Sequence, residues 1–136
     1  MTIGISTAMR NSRLQLILDA MDAGGGAATL KFYTGPRPAT GAAITTETLL
    51  ATLTCSDPVG TITTGVLTFD AVTEDSSADD TGTVAWARVD DSTTTFVCDL
   101  SVTVIAGGGD IEINTTGIVA GSPVSIVSAV ITEGNA

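Results

Sequence analysis

Residues 82–105 read GTVAWARVDDSTTTFVCDLSVTVI, and the patterning of this stretch decides the fold. Val84, Trp86 and Arg88 alternate with Ala85, Ala87 and Val89, and Asp90-Asp91-Ser92 then predicts a hairpin turn. Beyond it, Phe96, Cys98, Leu100, Val102 and Val104 share one face, with Val97, Asp99, Ser101, Thr103 and Ile105 on the other. A period of two belongs to a pleated strand, because successive Cβ atoms point to opposite sides of a sheet. At ~3.3 Å per residue the second strand would extend ~30 Å, the height of a small sandwich.

The same period recurs on both sides. Ala28, Leu30, Phe32 and Thr34 alternate with Thr29, Lys31 and Tyr33, and Gly35-Pro36-Arg37-Pro38 closes the run. Leu49, Ala51, Leu53 and Cys55 alternate with Leu50, Thr52 and Thr54 up to Ser56-Asp57-Pro58. Ile62 opens a short piece, Leu67, Phe69 and Ala71 mark another strand, and Ile111 to Ile113 follows the stop at Gly107-Gly108-Gly109. Val124 to Ile131 is the last strand, apolar on both faces, which places it centrally in a sheet or in a subunit contact. The chain has 24 Thr, 12 Val and 11 Ile, so 47 of its 136 residues are β-branched and suit a pleated surface. The expectation is an all-β, antiparallel β-sandwich of seven or eight strands, either jelly roll or immunoglobulin-like. No strand–helix alternation points to a parallel sheet.

One segment departs from this pattern. Residues 7–23, TAMRNSRLQLILDAMDA, carry a helical stripe of Met9, Leu16, Ile17, Ala20 and Met21, with Ser6 or Thr7 as N-cap and Gly24-Gly25-Gly26 as the stop. Leu14 and Leu18 widen the apolar face, so this helix must cover the end of a sheet or a neighbouring subunit. Residues 1–136 are expected to form one domain, with the helix at 7–23 and the sandwich at 27–132.

Composition excludes several functions. Fifteen acidic residues against five basic ones give a net charge of −10, which disfavours nucleic acid and anionic membrane surfaces as partners. The opening Met1-Thr2-Ile3-Gly4-Ile5-Ser6 shows no basic region leading into a long apolar stretch, so no secretory signal is expected. There is no histidine, which removes the commonest general base, the commonest zinc ligand and every Ser-His or Cys-His pair. An enzyme is not expected, and neither a metal nor a cofactor. Two carboxylates would suffice for glycoside hydrolysis, but nothing singles out a pair.

The remaining candidates each have a plain reading beside the functional one. The acidic stretch from Glu74 through Asp75 and Asp79 to Asp80 offers oxygens to Ca²⁺, yet lacks the spacing of an EF-hand loop; its plain reading is a solvated loop. Cys55 and Cys98 fall on inward faces, as reduced core thiols rather than a disulfide or a reactive site. The glycine triplet 24–26 follows a helix and precedes a strand, the reverse of a phosphate-binding order. Arg10 and Arg13 share a helix face and serve either intramolecular pairing or contact with an acidic partner.

Three stretches resemble a known family. The opening STAMRNSRLQLILDAMDAGGGAATLKFYTGPRP, the middle DSSADDTGTVAWARVDDS and the closing INTTGIVAGSPVSIVSAVITEGNA are similar to segments of small tailed-phage virion proteins. The resemblance runs from end to end, with a generic region between Thr40 and Gly65. It implies a jelly-roll-like fold without enzymatic activity. It also implies a decoration, or cement, protein on the outer surface of an assembled icosahedral head, made in the host cytoplasm. Its partners would be the major capsid protein of the same phage and further copies of itself, as a homodimer or homotrimer. The rival expectation is an adhesin module of a tail or surface appendage that binds a glycan or receptor.

Overall fold

The computed structural model describes residues 3–134. Met1 and Thr2, together with the Asn135-Ala136 end of the closing motif, lie outside the described residues. The chain is mostly β with one N-terminal helix, α1 (Thr7–Met21). Nine strands follow: β1 (Thr29–Thr34), β2 (Leu49–Thr54), β3 (Gly60–Thr63), β4 (Val66–Phe69), β5 (Gly82–Asp90), β6 (Phe96–Val104), β7 (Ile111–Ile113), β8 (Gly117–Ile118) and β9 (Ser128–Thr132). They form one curled sheet in the order β2-β1-β5-β6-β7-β9-β4-β3, with β8 paired to the start of β5.

The concave face is the core. Cross-strand rows Leu53–Leu30–Val89–Cys98 and Ala51–Phe32–Ala87–Leu100 run over β2, β1, β5 and β6. They join Val59, Leu67, Ile111 and Ile113 from the other half of the sheet in a single apolar cluster. Helix α1 contacts β3, β4 and β6 and adds Leu14, Leu18 and Met21 to that cluster. Each such side chain contributes about 1.5–3 kcal/mol when fully buried. The apolar stripe of the helix is therefore Leu14, Ile17, Leu18 and Met21, at the i, i+3, i+4, i+7 spacing of one face. Met9 and Leu16, expected on that stripe, are 54% and 71% exposed, and Ala20 is exposed too. Ser6 is the N-cap, its side chain accepting the Met9 N–H at 3.2 Å.

The sheet is mixed, which corrects the all-antiparallel expectation. β6 and β7 run parallel, with Val102 beside Ile111 and Val104 beside Ile113. Parallel neighbours ordinarily need a crossover of a dozen residues or more. Residues 105–110 do it here by folding back against β6. The Gly109 N–H donates to Thr103 Oγ1 at 3.0 Å, and a Cβ on Gly107 or Gly109 would come within 2.7 or 2.8 Å of the Thr103 side chain. The triplet Gly107-Gly108-Gly109 thus reverses the chain beside its own strand as well as stopping it.

Two further expectations change. The last strand begins at Ser128 instead of Val124, since Val124 is held by a lone bridge to Asp75. It is central, as expected of a segment apolar on both faces, and lies between β7 and β4. Phe96 leaves the face of Leu100 and Val102, because a bulge sets Asp90 opposite Phe96 and Val89 opposite Cys98.

The helix flanks one edge of the open sheet, and the segment after β4 pairs with the other. Along β3, Asn11 Oδ1 accepts the Gly65 N–H at 2.7 Å and Asp22 Oδ1 accepts the Val59 N–H at 2.9 Å. Those helix positions lie ~16 Å apart, close to the span of the four-residue strand and its flanks. Along β2, the segment after β4 supplies the missing neighbour. Thr54 and Thr73 exchange both backbone bonds, Asp75 Oδ2 accepts from the Thr52 N–H, and the Asp79 N–H donates to the Leu50 carbonyl. An uncovered edge is a template for pairing with another chain.

Candidate functional site

The arginines of the helix meet the far end of the chain. Arg10 donates from Nε and Nη2 to the backbone carbonyl of Glu133 at 3.0 and 2.8 Å. Arg13 Nη1 lies 2.8 Å from Glu133 Oε1, with the Arg13 side chain half exposed. Between them sits Gly65, whose N–H donates to Asn11 and whose carbonyl accepts the Glu133 N–H at 2.9 Å. Gly65 has φ +78°, and a Cβ there would overlap the Arg10 guanidinium. The opening S-T-A-x-R-N stretch and the closing I-T-E-G stretch thus converge on the β3–β4 turn. Charge-assisted bonds of the Arg10 kind are worth about 1.5–3 kcal/mol, and an exposed pair such as Arg13–Glu133 at most about 1 kcal/mol.

The acidic stretch does not form a metal cradle. Asp75 is spent on backbone donors, Oδ2 on Thr52 and Oδ1 on the Ser77 N–H at 3.0 Å, while Asp80 Oδ1 accepts the Thr81 N–H. Ala78, nearly fully buried, pins the middle of the segment through the Ser122 carbonyl. Among the described residues no three carboxylates or thiols are grouped as metal ligands. The stretch is an edge strap rather than a free solvated loop.

The two cysteines are free, and burial pushes both thiols up to about 12. Gly24 to Gly26 close the helix through a short 3-10 turn, where Ser92 Oγ donates to the Ala23 carbonyl at 3.0 Å. The hairpin turn spans Asp91 to Thr95, one step later than Asp90-Asp91-Ser92. Asp91 Oδ1 accepts from Thr93 N, Thr95 N and Thr93 Oγ1 at 2.8, 2.9 and 2.7 Å. These bonds, the Thr93 hydroxyl first, hold the Asp91 carboxyl below its ordinary value.

A polar and aromatic layer on the convex face escapes sequence reading. Tyr33 stacks on Trp86 with centroids 4.9 Å apart, and the Arg88 guanidinium lies 5.3 Å from the Trp86 ring and 5.0 Å from that of Phe96. Arg88 forks onto Asp99 at 2.8 and 3.1 Å and donates a third bond to the Ala42 carbonyl at 2.8 Å. The register supplies the arrangement by setting Tyr33 beside Trp86 and Lys31 beside Arg88 beside Asp99. Lys31 is paired with Asp90 at 2.8 Å. The loop from Gly35 to Thr48 lies over the layer through Ala42 and through Gly41, which packs on Phe96. The only signal for it was the spacing of Trp86 and Arg88 on one face.

Open depressions are shallow. One of about 170 Å³ is lined by Ile113, Asn114, Ile118 and Val124, and one of about 360 Å³ by Phe69, Val72, Ile126 and Val127. The first carries Thr115 and Ser125 but no carboxylate, and the second also carries Asp70 and Ser128. No helix of the described residues is long and apolar enough to cross a membrane. No family model matches the chain, and neither the curated proteins nor the solved structures compared with it yield a match.

Proposed function

We propose that the chain is a capsid decoration protein of a tailed phage, which binds the outer surface of the assembled head and stabilises it. The observation that supports this reading is where the motif residues go. Ser6, Arg10 and Asn11 from the opening stretch, Asp75 and Trp86 from around the middle one, and Val124 and Glu133 from the closing one all hold the frame together. A protein whose distinctive residues build its frame acts through its surface, as a cement does. Under the same reading, the curled sheet is a jelly-roll-type sandwich whose halves meet where β6 passes to β7.

A cement works by mass action, since it binds the assembled lattice and not the free subunits. Its partners are the major capsid protein and further copies of itself, and linked copies gain through effective concentration. The net charge of −10 keeps such a protein off nucleic acid in a lysate.

Immunogold labelling of intact particles with antibody to the chain tests the proposal. The expected label covers the whole head. Label confined to the tail would favour the adhesin reading, and unlabelled particles would end both.

A further inference from the structure

Arg37 stands apart from the other cations. Arg10 and Arg13 hold Glu133, Lys31 holds Asp90 and Arg88 holds Asp99, whereas Arg37 is exposed and bonded to no described residue. It lies between Pro36 and Pro38. Pro36 fixes its own φ, and Pro38 keeps Arg37 in an extended backbone, so the loop cannot easily bend the side chain back.

The neighbourhood of this loop is acidic and partly apolar. Thr34, which ends β1, and Leu50 of β2 both touch Gly82 at the start of β5, and Gly35 packs on Ala85. The Asp79 N–H donates to Leu50, so Asp79 and Asp80 come to the same end of the sheet as the proline loop. The Asp79 carboxylate accepts nothing from the described residues, and both aspartates are exposed. The Ala120 N–H donates to Thr81 Oγ1 at 2.9 Å, which brings Val119, 61% exposed, to that end as well.

We infer that this end of the sheet is a two-fold contact with a second copy of the chain. Arg37 of each copy reaches Asp79 and Asp80 of the other, around a centre of Val119 and the two prolines. A two-fold contact must be self-complementary, with residue i meeting j and j meeting i. One patch that holds an exposed cation bonded to no described residue together with the exposed carboxylates of Asp79 and Asp80 meets that condition. The apolar centre supplies attraction, and the charges set register and orientation. Extension along β2 is an unsuitable route to the same dimer, because the Thr73–Asp79 segment covers that edge. The inference rests on the part of the proposed function in which the chain pairs with itself.

Sedimentation of the purified full chain tests it, on wild type, Arg37→Glu, Asp79→Lys/Asp80→Lys and the triple charge swap. All three positions are exposed, and melting curves check that each variant is folded. The expected wild type is a dimer of the 13.6 kDa chain. Each single-sign variant should weaken it about tenfold or more, and the triple swap should restore it. A wild-type monomer or trimer would overturn the inference, as would a dimer indifferent to Arg37→Glu or not rescued by the swap. Binding to undecorated heads, measured separately, reports on the cement reading, so the two can fail independently.

Discussion

Asp75 accepts the backbone N–H of Thr52 at 2.9 Å, and with that bond a side chain takes the place of a neighbouring strand. Its other oxygen holds the Ser77 N–H, and its own backbone exchanges two bonds with Val124. One acidic residue therefore ties the β2 edge to the segment that covers it and to the approach to β9.

Asp75→Ala removes the acceptor and leaves the Thr52 N–H, half-buried, without a partner. The expected loss is about 1–3 kcal/mol, the cost of stranding such a donor. Asp75→Asn keeps one acceptor oxygen and should lose less. Exposure of the β2 edge should also raise aggregation on heating. Urea unfolding of the three proteins, with light scattering during melting, is the measurement. Equal midpoints would mean that the strap is held without Asp75.

Gly65 offers a sharper contrast. Gly65 and Gly25 have similar positive φ, +78° and +76°, but a Cβ would overlap Arg10 at Gly65 and meet nothing within 4 Å at Gly25. Gly25→Ala should cost only the left-handed backbone penalty, about 1–2 kcal/mol. Gly65→Ala should add the displacement of Arg10 from Glu133, for a total of about 3 kcal/mol or more. Thermal melting resolves the difference, at roughly 4 °C per kcal/mol for a chain of this size. Pairing Gly65→Ala with Arg10→Ala should recover part of the loss, because the obstructed side chain is then gone.

Much of this arrangement is readable from residue order, and the exceptions have physical causes. The alternation from Trp86 to Val89 carries through to the structure, whereas a bulge that sets Thr34 opposite Val84 moves Val84 off the face of Trp86 and Arg88 into the core with Ala87 and Val89. Phe96 does not carry through, because a bulge shifts it by one residue, and periodicity counts residues rather than partners. The helix is legible in extent and its stripe is not. Leu14, Leu16 and Leu18 are equivalent in hydropathy, and only the position of β3 and β4 selects 14 and 18 for burial. The strap is missed for a related reason: Thr73 to Asp80 looks like solvated loop until its backbone is seen to complete β2. Arg10 and Arg13 read equally as intramolecular pairs or as contacts for an acidic partner, and in the structure both meet Glu133 of the same chain.

The two thiols should be silent in the folded protein. Cys55 and Cys98 are held at about 12, in each case first by burial. At pH 8 almost no thiolate forms, and Cys55 is also buried away from a bulky disulfide reagent. Two thiols should react in denaturant and essentially none without it, read from the absorbance of the released leaving group. Rapid titration of either thiol in the native protein would show that its part of the core opens.

The Asp91 turn makes stability depend on pH with a definite sign. Hydrogen bonds from the Thr93 hydroxyl, then from the Thr95 and Thr93 N–H groups, hold its folded carboxyl below the ordinary 3.8. A group depressed on folding stabilises above its unfolded value, and that stabilisation is lost as pH falls through the folded value. Asp91→Asn keeps an acceptor at the same place and cannot ionise. It should melt below wild type at pH 7, and the gap should narrow below about pH 4 as the wild-type carboxylate takes up its proton. Melting temperatures of the two proteins between pH 7 and 2.5 measure that gap. Substituting Thr93 by Val should shrink it at neutral pH, because the hydroxyl bond to the charge is then missing. A gap that stays constant down to pH 2.5 would assign the loss to shape rather than to ionisation.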